Sequence, residues 1–341
     1  MSPSVYIVVL AYGGQDWLEV CLPSLLRTDY PACTIWVVDN ASEPPLLPWI
    51  KYRFPSVRSL RYERNEGYAG GYQRFFSEYG HEVPYIAFLN GDVEVTPNWL
   101  TPLVELLERC PRVGAVQPKI LSWRDREAFE YAGAAGGLMD AWGYPTCRGR
   151  GEKDFGQYNK PARIFWAGGA AFLLRTKAVL RDLNGLLFKP YYFMHMEEID
   201  LCWRLHRAGW EIAYEPQSVV YHVGGAALAQ EHPRKTYYNF RNSLYMLWEN
   251  LPSSERIWRV LWRLILDAPA ALYFLFRGKL PHVLAVLKAH WDFYRYLLRG
   301  GTSFSDSLPK PPYRSLSGVL DKSQFFYRTP YPTYPLSCFS P

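Results

Sequence analysis

Along the first third of the chain, short apolar, β-branched runs alternate with amphipathic stretches. Val5–Ala11, Ile35–Val38, Val57–Leu60, Tyr85–Leu89 and Val113–Val116 predict strands, and Trp17–Leu26, Tyr72–Tyr79 and Trp99–Glu108 predict helices between several of them. This alternation predicts an α/β fold: a Rossmann-like, mostly parallel sheet with helices on both faces. In such sheets ligands bind beyond the carboxyl ends of the strands, which singles out residues 12–14, 39–42, 65–67 and 90–92. Residues 122–160 are irregular and glycine-rich and predict long loops over a site. Residues 163–174 read as one strand interrupted by Gly168-Gly169, followed by an aromatic segment, a helix to Ala208 and two short strands ending at Tyr221-His222. Residues 234–299 read as helical, and residues 301–341 as an extended Pro/Tyr/Ser-rich tail. Three regions follow: a catalytic-type domain over 1–250, a basic and aromatic helical extension over 251–300, and the tail.

Composition adds the setting. Six cysteines without a Cys-x-x-Cys pair fit neither a structural zinc site nor a dense disulfide framework, and predict a reducing, cytoplasmic compartment. The first apolar run is too short for a signal-peptide core, so no export is expected. The net charge of +6 is uneven: residues 251–300 hold eight Lys or Arg against three Asp or Glu. That excess accompanies Trp258, Leu261, Trp262, Ile265 and Phe276, a membrane-surface composition that argues against nucleic acid as partner.

The densest chemistry lies in Tyr191-Tyr-Phe-Met-His-Met-Glu-Glu-Ile-Asp200, where Glu197, Glu198 and Asp200 ring a predicted helix N-terminus. They either complement the helix dipole or act in catalysis. Asp39 ends an apolar strand and reads as a ligand for a nucleotide base or ribose, or as an Asx-turn with Asn40 and Ser42. Asn65-Glu-Gly-Tyr-Ala-Gly-Gly71 places three glycines before a helix, where backbone must pass close to a ligand. Asp92, in Asn90-Gly91-Asp92, offers a hard oxygen ligand or a turn, and His222 ends a later strand.

Taken in order, Val8-Val-Leu-Ala11-Tyr12, Val37-Val-Asp-Asn-Ala-Ser42, Asn65 to Gly71, Leu89-Asn-Gly-Asp92, Trp166-Ala-Gly-Gly-Ala-Ala-Phe172, Glu197 to Arg204 and Tyr221-His-Val-Gly-Gly225 resemble the family two inverting glycosyltransferases of the GT-A fold, in particular a bacterial rhamnosyltransferase subgroup. The resemblance covers about residues 4–250. It implies a nucleotide site of Ala11, Tyr12, Asp39, Asn65, Gly67, Gly71, Asn90, Gly91 and Asp92. It implies a divalent metal, Mg or Mn, on Asp92 and His222. It makes Glu198 the general base, with Glu197 or Asp200 orienting or substituting for it, and places Trp166, Gly168 and Gly169 on the acceptor side. The implied reaction moves a sugar from a nucleoside diphosphate, dTDP-rhamnose or a UDP-sugar, to a glycan or lipid-linked glycan in surface polysaccharide synthesis. The chain departs from the family at Gly13, where Asn is usual, at Asn90, often Asp, and at Glu198, usually Asp. The competing class is a non-catalytic sugar-nucleotide or glycan-binding scaffold; retention of Glu197, Glu198, Asp200, Asp92 and His222 together argues against it.

In the helical extension, Arg256, Arg259 and Arg263 share one face and Trp258, Leu261, Trp262 and Ile265 another. This predicts either a helix lying in the plane of the inner-membrane surface, on its cytoplasmic face, or one whose aromatic face packs on the catalytic domain. Arg263, Asp267 and Pro269 speak against a spanning helix.

Overall fold

The computed structural model describes residues 2–140, 142–224, 232–301 and 338. The first half runs β1 (Val5–Ala11), α1 (Gln15–Leu25), β2 (Cys33–Asp39), α2 (Leu47–Arg53), β3 (Arg58–Arg61), α3 (Gly67–Tyr79), β4 (Tyr85–Asn90), β5 (Val93–Val95), α4 (Leu100–Arg109) and β6 (Val113–Ser122). A small hairpin of β7 (Gly137–Met139) and β8 (Pro145–Cys147) follows. Then come β9 (Ala162–Ile164), β10 (Ala171–Arg175), α5 (Thr176–Asp182), α6 (Glu197–Arg207), β11 (Glu211–His222) and the helices α7 (Pro233–Asn250), α8 (Ser253–Phe276) and α9 (Leu280–Leu298).

One sheet runs β3-β2-β1-β4-β10-β6-β11-β5, with β9 also pairing with β11. Strands β3, β2, β1 and β4 are parallel neighbours, as are β6 and β11. Alternation along β1 sends Ile7 and Val9 to a core shared with Leu18 and Leu22 of α1 and Leu103 of α4. Val8 goes to the opposite core, with Tyr72 and Phe75 of α3 and Leu201 and Leu205 of α6. The α/β architecture with helices on both faces is therefore the one the hydrophobic pattern predicts.

Three details differ from expectation. Residues 163–174 form two strands: β9 pairs with β11, whereas β10 runs antiparallel between β4 and β6. They are separate because the Gly168 amide donates to the side chain of Gln117 (2.6 Å) and not to the backbone of a neighbouring strand. The two strands expected before His222 are one, β11, with a break in register between Glu215 and Val219 around Pro216. Finally, Cys110 and Cys338 form a disulfide across a sequence separation of 228, too long for any spacing signal, while Cys21, Cys33, Cys147 and Cys202 are unpaired.

The extension turns the charged face of α8 inward. Arg256, Val260, Arg263 and Asp267 are buried. Arg263 lies 3.7 Å over the Tyr144 ring and donates to the Gly143 carbonyl (3.2 Å) and Ser243 Oγ (3.0 Å). Asp267 accepts from Tyr144 at 2.7 Å and faces His290 Nε2 at 3.4 Å. The aromatic face packs on the catalytic domain only where Trp258 and Trp262 meet Trp142 of the β7–β8 turn, and Leu261 and Ile265 stay exposed: polar partners on α7 and that turn select the arginines. The tail expected over 301–341 lies outside the described residues apart from Gly301 and Cys338, as does Gly225.

Candidate active site

The carboxyl ends of β1, β2 and β4 bring the first group together. The Asn40 backbone amide donates to Ala11 O at 2.8 Å, and the Gly13 amide donates to Ser42 Oγ at 2.8 Å. Tyr12 stands 62% exposed at this rim. Asp39 is wholly buried: its oxygens accept from the Ser42 amide (2.8 Å), the Leu46 amide (3.0 Å) and the Arg61 guanidinium (2.5 Å). Its carboxylate thus holds an Asx-turn in place, and Arg61 is its only side-chain partner among these three.

Asn40 also fastens the glycine-rich turn. Its amide donates to Asn65 Oδ1 and Gly67 O, both at 3.1 Å, and its oxygen accepts from the Glu66 amide. Gly67 has φ +71°, and a Cβ there would collide with the Phe193 carbonyl. Only glycine permits this approach. Gly71 serves packing instead, since a Cβ there would press on Leu10 of β1.

Beyond β4, Asp92 meets His222 at the end of β11. Nε2 of His222 is 3.2 Å from Asp92 Oδ1 and 3.4 Å from Asn90 Nδ2, while Nδ1 faces Glu130 Oε1 at 3.5 Å. Burial lowers the imidazole pKa, but the two carboxylates outweigh it and push it up to about 10. Two ligands of one octahedral ion stand about 3 Å apart, so the Asp92–His222 pair fits a divalent metal, with Glu130 as the outer carboxylate that orients the imidazole. Among the described residues no group of three or more His, Cys, Asp or Glu side chains is arranged around a metal position; the remaining ligands would come from outside the protein.

The antiparallel β10 carries the Gly168-Gly169 loop to this edge. Asn90 N donates to Ala170 O at 2.9 Å, and Gly169 O accepts from Tyr68 OH at 2.6 Å. A Cβ on Gly169 would touch the Glu198 carboxyl carbon, so the turn at Asn90, this loop and Glu198 adjoin one another. Gly168 lines the same loop, bonded to Gln117. Trp166 does not face the opening: it is 4% exposed, donates to Leu138 O at 2.8 Å and packs over Gly137. Its expected stacking on an acceptor sugar is corrected, because the indole is buried in the core.

The three carboxylates divide by environment. Glu198 is partly buried, its Oε2 has no hydrogen-bond partner, and burial raises its pKa to about 7. Glu197 is buried, also with an unpartnered Oε2, and burial together with the neighbouring Glu198 charge drives its pKa well up. Asp200 faces away. It pairs with Lys189 and Arg204, each at 2.8 Å, and accepts from Asn250 at 2.8 Å. Burial opposes ionisation, yet Lys189 and Arg204 hold its pKa at about 2. The expectation of a catalytic Asp200 is corrected accordingly: its oxygens are saturated inside the core.

Residues 6–169 match the family described as Glycosyl transferase family 2. Over that span the chain carries a family 2 glycosyltransferase domain. The glycosyltransferase is 28% identical over 244 residues to an N-acetylglucosaminyl-diphospho-decaprenol L-rhamnosyltransferase of Mycobacterium tuberculosis (strain CDC 1551 / Oshkosh), covering 65% of this chain and 76% of that one. Its fold is that of S. aureus TarS 1-349, solved with UDP-GlcNAc, at TM-score 0.56 and 14% identity over 85% of this chain and 80% of that one. It also superposes on GalNAc-T7, solved with UDP, GalNAc and Mn2+, at TM-score 0.52 and 18% identity, covering 73% of this chain and 48% of that one.

Several residues of the glycosyltransferase site have no sequence signal. Asn242, on α7, donates to the carbonyls of Tyr192, Met194 and His195 at 2.7–2.9 Å. It thereby clamps a segment in which Phe193, His195 and Met196 all have positive φ, strain of the kind that functional sites store. Gln117 bridges the Gly168 amide to the carbonyls of Gly133 and Ala134. Glu130 sits in a stretch read as loop. Each acts through a long-range contact that no local pattern reports.

Proposed function

We propose that this glycosyltransferase moves a sugar, with inversion, from a nucleoside-diphosphate donor to a glycan or lipid-linked glycan at the cytoplasmic face of a bacterial inner membrane. The carrying observation is Glu198: an enclosed, unpartnered carboxylate oxygen with a pKa near neutrality, beside the loop that leads to Asp92. Glu198 takes the proton from the acceptor hydroxyl as that oxygen bonds to the anomeric carbon, while the sugar–phosphate bond breaks and the nucleoside diphosphate leaves with the bonding electrons. A base with a pKa near the working pH combines availability with proton affinity. Glu197, whose own pKa burial and the Glu198 charge drive well up, keeps its proton and leaves Glu198 as the carboxyl that ionises first. Asn65, Gly67, Ala11 and Tyr12 line the nucleotide side, with Asp39 and Arg61 shaping its base end.

A divalent ion, Mg or Mn, would be held by Asp92 and His222 and would neutralise charge on the departing diphosphate. The likeness to GalNAc-T7, solved with UDP and Mn2+, and to TarS, solved with UDP-GlcNAc, supports this donor class. The decaprenol-linked acceptor named for the mycobacterial relative supports a lipid-linked acceptor and makes dTDP-rhamnose the first donor to try, ahead of UDP-sugars.

Calorimetric titration with dTDP, UDP, GDP and CDP, each with and without Mn2+, tests the reading. Metal-enhanced binding of dTDP or UDP supports it and selects the sugar nucleotides for a transfer assay. Binding by none of the four, in folded protein, favours the scaffold reading.

A further inference from the structure

Helix α8 is built inside out, and α9 carries apolar side chains on both its buried and its exposed face. The stripe that α8 buries is Arg256, Val260, Arg263 and Asp267, whereas Leu261, Ile265 and Phe276 are 54%, 60% and 85% exposed. On α9 the buried stripe is His282, Ala285, Val286, Ala289 and Phe293, and Leu284, Trp291 and Leu298 stand 57%, 63% and 87% exposed. A surface helix ordinarily shows water its polar face. On α8 the buried polar groups have partners within the protein, and on both helices large apolar side chains face outward.

We propose that this exposed face of the α8–α9 pair seats in the interface of an anionic lipid bilayer, with both helices in the membrane plane. The proposal rests on the membrane-surface reading above and is independent of its sugar chemistry. Neither helix is long and apolar enough to cross a membrane. The cations lie where headgroups would: Arg277 and Lys279 in the turn joining the helices, Arg295 and Arg299 at the far end of α9. The acidic Asp267 points the other way, into the protein. At the α8 side Trp142 meets Trp258 and Trp262 with ring centroids 6.3 and 6.0 Å apart, an indole cluster suited to the water–lipid boundary. A second copy of the chain fits less well, because a two-fold contact across this face would bring basic ends against basic ends. An anionic surface meets both ends with opposite charge.

The test is co-flotation of the full chain with vesicles of phosphatidylcholine, with and without phosphatidylglycerol, in the absence of any sugar nucleotide. The wild type is expected to float with the anionic vesicles and to do so at least about tenfold less with neutral ones or in high salt. The double variant Ile265→Glu/Leu284→Glu should lose flotation by about tenfold or more while keeping its melting temperature, since both side chains are exposed. Arg277→Glu/Arg299→Glu should remove the preference for anionic lipid. No flotation of the wild type, or undiminished flotation of Ile265→Glu/Leu284→Glu, overturns the proposal. So does light scattering that shows a wild-type dimer broken by the same double variant without lipid. Failure of nucleotide binding in the calorimetric experiment leaves this result untouched.

Discussion

Nε2 of His222 and Oδ1 of Asp92 stand 3.2 Å apart, brought together from the end of β11 and the turn between β4 and β5. The separation suits one shared ion as well as one shared proton. Asp92→Ala and His222→Ala are each expected to remove the metal-dependent part of nucleotide affinity and leave the metal-free part unchanged. Glu130→Gln, which only loosens the imidazole, should weaken Mn2+ binding by about 10- to 100-fold. Titration of Mn2+ in the presence of UDP or dTDP reads all three. Equal affinities with and without metal in the wild type would remove the metal site altogether.

Glu198→Gln should lower turnover by about 10²- to 10⁴-fold and leave donor binding nearly intact. In the wild type, activity should rise with pH through about 7, as the carboxyl loses its proton. The same raised pKa costs stability: the folded state binds the proton more tightly than the unfolded chain, so Glu198 weakens the fold increasingly as pH rises from about 4.5 through about 7. Glu198→Gln is therefore expected to melt higher than wild type at pH values above that window. A variant that turns over normally would transfer the base role to Glu197.

Gly67→Ala forces a side chain into left-handed backbone and against the Phe193 carbonyl, at a cost of about 1–3 kcal/mol. Asn242→Ala frees three carbonyls of the strained segment before Glu197. Both variants should reduce kcat more than the melting temperature would suggest, because both move Glu198 without touching it. Restoration of turnover by Asn242→Asp would count against this, since a carboxylate cannot donate to the same three carbonyls.

Lys189→Met leaves Asp200 and Glu249 facing each other without their shared cation, and loss of one partner from such a buried set costs about 3–5 kcal/mol. Lys189 Nζ is 2.8 Å from Asp200 and 2.6 Å from Glu249. Asp200→Asn should likewise lower the denaturant midpoint while the folded fraction keeps a wild-type pH profile. A shifted profile would return Asp200 to the reaction.

The parallel strands are legible in the sequence because both of their faces are buried, which leaves continuous runs such as Ile35–Val38. The motif order also locates Glu198, Asp92 and His222, because each follows the end of a strand or starts a helix. Trp166 is not legible: the same residue serves a sugar platform or a core, and only the position of Gly137 beneath its ring decides. Nor is the orientation of α8. Periodicity shows two faces but is unchanged by half a turn about the axis, and the choice falls to Ser243, Gly143 and Tyr144, residues distant in sequence. Asp200 differs from Glu198 for a similar reason, the cation of Lys189.

That cation has a mechanical meaning. Lys189 bonds Asp200 of α6 and Glu249 of α7 at once, and α7 is pinned in turn to α8 through Ser243 and Arg263 and to α9 through Glu249 and Tyr296 (2.6 Å). The helix that carries Glu198 cannot tilt without carrying the outer helices with it. If those helices rest on a surface, the height of the reacting hydroxyl above that surface is a fixed dimension of the molecule, and the enzyme measures its acceptor with a ruler before it tests the chemistry.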